Sequence, residues 1–148
     1  MRWSKDGVSY ILDQIITHYD RPVPSWVTGM YVANRNGEEH CDHLDEGLNP
    51  FVCYCLSGAI TYSDGMLDDQ EMLFAILDHV VESKTNGRFR YTVSFNDSLA
   101  EPGLVGTAPP ELMDVLHYAK ENLTELLTEV SIEPYDFLQK YQSNHMEH

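Results

Sequence analysis

Basic residues are scarce in this chain. Only 9 Lys and Arg stand against 24 Asp and Glu in 148 residues, a formal net charge of −15. A surface field of that sign repels nucleic-acid phosphates and anionic membranes, so cationic protein surfaces are the natural partners. Cysteine is scarce as well. The 3 cysteines are an odd number, and Cys53 and Cys55 lie only two apart, which is no disulfide framework and fits a reducing compartment. No stretch approaches the ~18 apolar residues that span a bilayer. The start, Met1 to Asp6, lacks the apolar run and cleavage pattern of a signal peptide, so a cytoplasmic protein is expected. A Gly-rich phosphate loop and a basic cluster are both missing, which removes support for nucleotide or nucleic-acid binding, and no cofactor is expected.

What is present is enough to fold. With 43% hydrophobic and 11% aromatic residues the chain can bury a core without staples, as a monomer or a homo-oligomer. One globular domain over residues 1–142 is expected, with a polar tail over 143–148.

Helical periodicity opens the chain. Val8, Ile11, Leu12, Ile15, Ile16 and Tyr19 recur at the 3.6-residue period behind Asp6, which stands where an N-cap would be. The two prolines of Arg21-Pro-Val-Pro24 end that helix. Trp26 to Ala33, β-branched and aromatic, reads as a strand closed by the Asn34-Arg-Asn-Gly37 turn. A polar loop from Glu38 to Leu48 follows. Asn49-Pro50 reads as the entry to a buried helix reaching about Tyr62. Asp68-Asp-Gln-Glu71 resembles a capping box for a third helix, with Leu73, Ile76, Leu77, Val80 and Val81 facing inward.

Phe89, Tyr91, Val93 and Phe95 alternate with Arg90, Thr92 and Ser94, the pattern of a half-buried strand. The longest helix is expected from Pro109 to about Leu127, and a last short one near Glu133-Pro134 with Phe137, Leu138 and Tyr141 inward. The class expected is α+β, mostly helical, with about five helices and a two-stranded sheet that pairs the strands around Tyr31 and Val93.

The segments Gly29-Met-Tyr31, Cys55-Leu-Ser-Gly58-Ala59 and Phe95-Asn-Asp97, with Leu112 to Ala119 beyond, resemble a family of uncharacterised small proteins of bacteria and their phages. That family carries a Gly-x-Tyr segment, a Cys-Leu-x-Gly-Ala helix and an aromatic-Asn-Asp turn. This chain departs from it at Phe95, where a tryptophan is expected, and after Thr128, where extra residues follow. The resemblance implies a fold and a phage or bacterial origin, not a reaction. Within it, Gly58 and Ala59 would let a neighbouring backbone approach, and Asn96 and Asp97 would bond local backbone N–H groups.

Three chemistries compete for the remaining residues. A cysteine nucleophile would join Cys55 or Cys53 to His117 and Asn96. In a helix begun at Pro50, however, both thiols lie beyond the first turn, where the dipole no longer lowers their pKa, and a buried thiol is the commoner outcome. A metal site would gather His40, Cys41, Asp42 and His43 with the two cysteines. Residues two apart on a helix point about 200° apart, so Cys53 and Cys55 would not share an ion. A small-ligand pocket would be lined by Trp26, Tyr31 and Phe95.

Spacing adds most on the last long helix. Stepping 100° per residue from Glu111 puts Asp114 at about 300°, Tyr118 at about 340°, Glu121 at about 280° and Glu125 at about 320°, one carboxylate stripe centred on a tyrosine. Helix exteriors normally mix charge signs, and only Lys120 lies nearby. The expectation is a small acidic, non-enzymatic interaction protein docking on the basic surface of a host protein, such as a phage inhibitor of a nucleic-acid-binding or defence complex. The alternatives are a hydrolase or transferase using Cys55 or the His40/His43 loop, and a small-ligand sequestering protein.

Overall fold

The computed structural model of the chain describes residues 2–39 and 47–130, and its elements run in the order α1 (Lys5–Tyr19), β1 (Trp26–Val27), β2 (Val32–Ala33), β3 (Cys53–Tyr54), α2 (Leu56–Tyr62), α3 (Leu67–Lys84), α4 (Thr92–Ser98), β4 (Val105–Gly106), α5 (Pro110–Glu121) and α6 (Leu123–Val130). The class is α+β and mostly helical, with six helices among the described residues. The short helix expected near Glu133, the tail, and the His40, Cys41 and His43 loop lie outside the described residues.

The sheet has four strands in the order β2-β3-β1-β4, not two. β1 pairs with β3 in parallel and with β4 antiparallel, and β2 pairs with β3 antiparallel. The single strand expected over Trp26 to Ala33 is two strands of two residues each, because the backbone turns through Gly29 at φ +73. Alternation along each strand then sorts the side chains between two faces. Trp26, Val32 and Tyr54 point into the main core, whereas Val27, Ala33 and Cys53 join Cys55 in a small second cluster on the other face.

The strand expected around Val93 is the helix α4. The Phe89, Tyr91, Val93 and Phe95 alternation has a polar partner at every second place, but Thr92 finds a better use as the first residue of a helix. Its N–H donates to Asp78 Oδ1 of α3 at 2.8 Å, which heads α4 from outside its own sequence. The Tyr31 and Val93 segments therefore do not pair.

The helix expected from Pro50 begins later. Asn49 Oδ1 takes the Phe51 N–H at 2.9 Å and its carbonyl takes the Val52 N–H at 3.1 Å, a turn that leads straight into β3. Cys55 is the N-cap of α2, its sulfur accepting from the Gly58 N–H at 3.2 Å.

Caps differ from expectation at two further helices. Ser4, not Asp6, caps α1 through its Oγ and the Gly7 N–H at 3.0 Å. The N-cap of α3 is Met66, which offers no side-chain cap, and Asp69 of the expected capping box faces α1 instead, accepting the Ser4 N–H at 2.8 Å. That crossing needs glycine. A Cβ at Gly7 would lie 2.0 Å from Asp69 Oδ2.

The main core is the inward face of α1, α3 and α5, closed by α2, α4 and α6. Ile11, Leu12 and Ile15 meet Leu73, Ile76 and Leu77, with Leu112, Val115 and Leu116 from α5. Each buried aliphatic side chain contributes roughly 1.5–3 kcal/mol relative to exposure, so this three-helix seam dominates stability. The long helix expected to reach Leu127 is interrupted at Asn122, where φ is −114 and ψ is 21, and α6 turns its Leu123, Leu126 and Leu127 onto α1 and α3.

Candidate functional site

The three short motifs converge. The Gly29 N–H donates to Asp97 Oδ1 at 3.0 Å, and the Tyr31 carbonyl accepts the Cys55 N–H at 3.1 Å. That carbonyl lies so close to α2 that a Cβ at Gly58 would be 2.2 Å from it. Asn96 sits at the centre, fully buried. Its Oδ1 accepts from the Trp26 indole at 2.7 Å and from the Leu56 N–H at 3.0 Å, while its Nδ2 donates to the Val27 carbonyl at 3.2 Å. The backbone approach expected at Gly58 is present. Apart from the bond that Asn96 Nδ2 donates to Asp97 Oδ1 at 3.1 Å, however, the side-chain bonds of Asn96 and Asp97 are not local: they reach β1, α2 and the Gly29 turn, up to seventy residues away.

These contacts decide the nucleophile reading. Cys55 does occupy a helix N-terminus, contrary to the sequence reading, yet burial pushes its thiol up to about 11, the Gly58 N–H opposing and Asp97 adding to the rise. A thiol in that state is protonated and inert at neutral pH. Asn96 has its amide committed to backbone and indole, and His117 stands on the exposed outer side of α5. The structure does not bring Cys55, Asn96 and His117 together as a catalytic group. Cys53, in β3, is likewise pushed up by burial.

Because β3 is extended, Cys53 and Cys55 share the second cluster, so the angular objection drawn from a helix does not apply. Among the described residues, no group of three or more His, Cys, Asp and Glu side chains forms a ligand set. Trp26 and Phe95 are core residues and Tyr31 is 61% exposed, so these three line no common pocket. An open hollow of about 480 Å³ lies elsewhere, along α1, bounded by Tyr10, Gln14, Thr17, His18, Arg21 and Pro50. Burial lowers the His18 pKa, and its Nε2 is within 3.0 Å of the Val52 carbonyl.

The carboxylate stripe survives in outline. Glu111, Asp114, Tyr118, Glu121 and Glu125 are all exposed, but the break at Asn122 puts Glu125 on α6, so the stripe spans two helices. Lys120 is ion-paired with Asp13 of α1, and the Lys84 ammonium sits over the Tyr118 ring at 4.5 Å from its centroid. Among the described residues, no ion pair engages Glu111, Asp114, Glu121 or Glu125. The one acidic residue of α6 that is paired is Glu129, with His79 Nε2 at 3.1 Å. Exposed pairs of this kind contribute only about 0–1 kcal/mol.

Comparison with protein-family models, with curated proteins and with solved structures gives no match. No helix among the described residues is long and apolar enough to cross a membrane.

Proposed function

We propose that the protein is a non-enzymatic interaction module that docks the α5–α6 carboxylate face on the basic surface of another protein. The observation that carries this reading is that Glu111, Asp114, Glu121 and Glu125 are exposed and without an ion pair among the described residues, Lys120 being turned to Asp13 while Lys84 sits over Tyr118 within the stripe. Glu111 and Asp114 lie one turn apart on α5, Glu121 lies two turns further on, and Glu125 continues the face on α6. The face thus presents four carboxylates of one sign, as a nucleic-acid backbone presents charge of one sign. A nucleic-acid-binding protein of a host, such as a defence complex met by a phage, is the partner this charge suits.

The test is capture of partners from host lysate at low and high salt. Association that is retained at low salt, lost at high salt and lost again in the Glu121→Lys, Glu125→Lys variant supports the reading, since exposed charge pairs are screened within about 8 Å at physiological ionic strength. Partner binding unchanged by that double reversal refutes it.

A further inference from the structure

A second surface lies where the 63–66 loop crosses α1. Asp64 accepts from the Tyr10 hydroxyl at 2.9 Å, and its backbone is clasped by the Gln14 amide, which donates to the Asp64 carbonyl at 2.6 Å and accepts the Asp64 N–H at 3.0 Å. Gly65 is pressed so closely on α1 that a Cβ there would lie 2.5 Å from Ile11 Cδ1. The loop is therefore held on α1 at Asp64, and it delivers Met66 and Leu67 to the solvent two and three residues beyond the carboxylate that Tyr10 binds. These side chains are 72%, 67% and 53% exposed.

Their placement runs against the local rules of helix formation. Met66 is the N-cap of α3 and Leu67 its first residue, and Met66 makes no side-chain cap bond. Ser, Thr, Asp or Asn at that position would satisfy an orphan N–H that methionine leaves to water. Two large apolar side chains thus occupy positions where polar ones would stabilise the fold, and both are mostly exposed. Departures of this kind mark functional surface, and methionine suits an adaptable one.

The charge around them selects the partner. Asp6 lies one turn before Tyr10 on α1, Asp64 holds its hydroxyl, and Asp68 follows Leu67, with Glu71 a turn further on. Burial and the nearby Asp68 raise the Glu71 pKa. Arg2 and Lys5 are the cations at this end, and Asp13 is occupied by Lys120. A second copy of a chain carrying −15 would bring like charge to the same rim.

We propose that Tyr10, Met66 and Leu67 form the apolar centre of a docking surface for a cationic amphipathic segment of a partner protein. Its apolar side chains cover Met66 and Leu67, and its Lys or Arg residues meet Asp6, Asp64 and Asp68. This surface shares no residue with the α5–α6 stripe.

The experiment uses the full chain and two fluorescent 18-residue peptides of the same Leu and Lys composition, one spaced as an amphipathic helix and one scrambled. The amphipathic peptide is expected to bind at least tenfold more tightly than the scrambled one. The Met66→Ser, Leu67→Gln variant removes that preference, while the Glu121→Lys, Glu125→Lys variant keeps it, so the two surfaces fail or succeed independently. Met66→Ser alone should raise the melting temperature by supplying the missing cap, which separates lost binding from lost folding. Equal affinity for the two peptides, or a preference that persists in the Met66→Ser, Leu67→Gln variant, overturns the proposal. So does a dimer by sedimentation that the same variant abolishes, because it assigns the face to a second copy.

Discussion

The Trp26 indole N–H and the Asn96 side-chain oxygen meet at 2.7 Å across seventy residues of sequence, with both groups buried. The same oxygen takes the Leu56 N–H, so a single carboxamide joins β1, the start of α2 and α4. A buried donor left without its acceptor costs about 1–3 kcal/mol, and here two donors share one acceptor.

Asn96→Ala is therefore expected to destabilise the protein by about 3 kcal/mol or more, read as a lower urea midpoint with the slope of the transition unchanged. Asn96→Asp should do no better. It retains the acceptor, but it loses the donor to Val27 and sets a second carboxylate beside Asp97. Full stability in either variant would show that the indole and the α2 N–H find other partners.

Gly58→Ala reverses the usual sign of a helical substitution. Alanine in a helix interior is ordinarily favoured over glycine by roughly 0.5–1 kcal/mol, but here the new methyl would meet the Tyr31 carbonyl at 2.2 Å. Overpacking of this kind costs about 1–3 kcal/mol, and the backbone on both sides is already hydrogen-bonded. A drop in melting temperature is expected, and a rise would contradict the close approach.

Asp78 gives the fold a pH dependence of definite sign. Burial raises its carboxyl to about 6 despite the Thr92 N–H it accepts. A folded pKa above the unfolded one means that the folded state holds the proton more tightly. The resulting stabilisation is complete below the ordinary aspartate range, and it is lost as pH rises through about 6. Stability should thus increase from pH 7.5 towards pH 5. Asp78→Asn keeps an oxygen for Thr92 and removes the charge, so it should flatten this part of the profile and stabilise the protein at pH 7.5 by at most about 3 kcal/mol. Parallel profiles for the two proteins would rule out Asp78 as the source.

Cys53 and Cys55 should resist alkylation. With Cys55 held at about 11 by burial, native protein treated with iodoacetamide at pH 7.4 should remain unmodified at both positions, as mapped by peptide mass spectrometry, while protein in urea reacts at both. Rapid native labelling of Cys55 would restore it as a nucleophile.

The helical seam was legible in the sequence because each core helix carries its own period: Val8 to Tyr19, Leu73 to Val81 and Leu112 to Ala119 all face the core as that period implies. The sheet was not. Strands of two residues carry no countable alternation, and each exists because a partner distant in sequence supplies its bonds. The Phe89 to Phe95 alternation misled for a related reason, since the group that starts α4 is Asp78 on another helix. Position 55 followed the same logic: Asn49-Pro50 resembles a helix entry, but it opens a turn, and the pairing of Cys53 and Tyr54 with β1 and β2 delays the helix to Leu56. Of the candidate site, the carboxylate spacing on α5 could be read directly, whereas the Asn122 break and the Lys84 contact with Tyr118 could not. Met66 and Leu67 were hidden because Asp68 and Asp69 offered a more familiar cap.

The position of Asn96 in the chain also sets an order of events during synthesis. By the time Leu56 has been made, β1 and the head of α2 are available, but the oxygen that satisfies both is still forty residues from being added. Until then Trp26 carries an unanswered indole N–H and α2 an open first turn. The amino-terminal half is thus left incomplete during synthesis until α4 supplies that oxygen and β4 and α5 then close the sheet and the core.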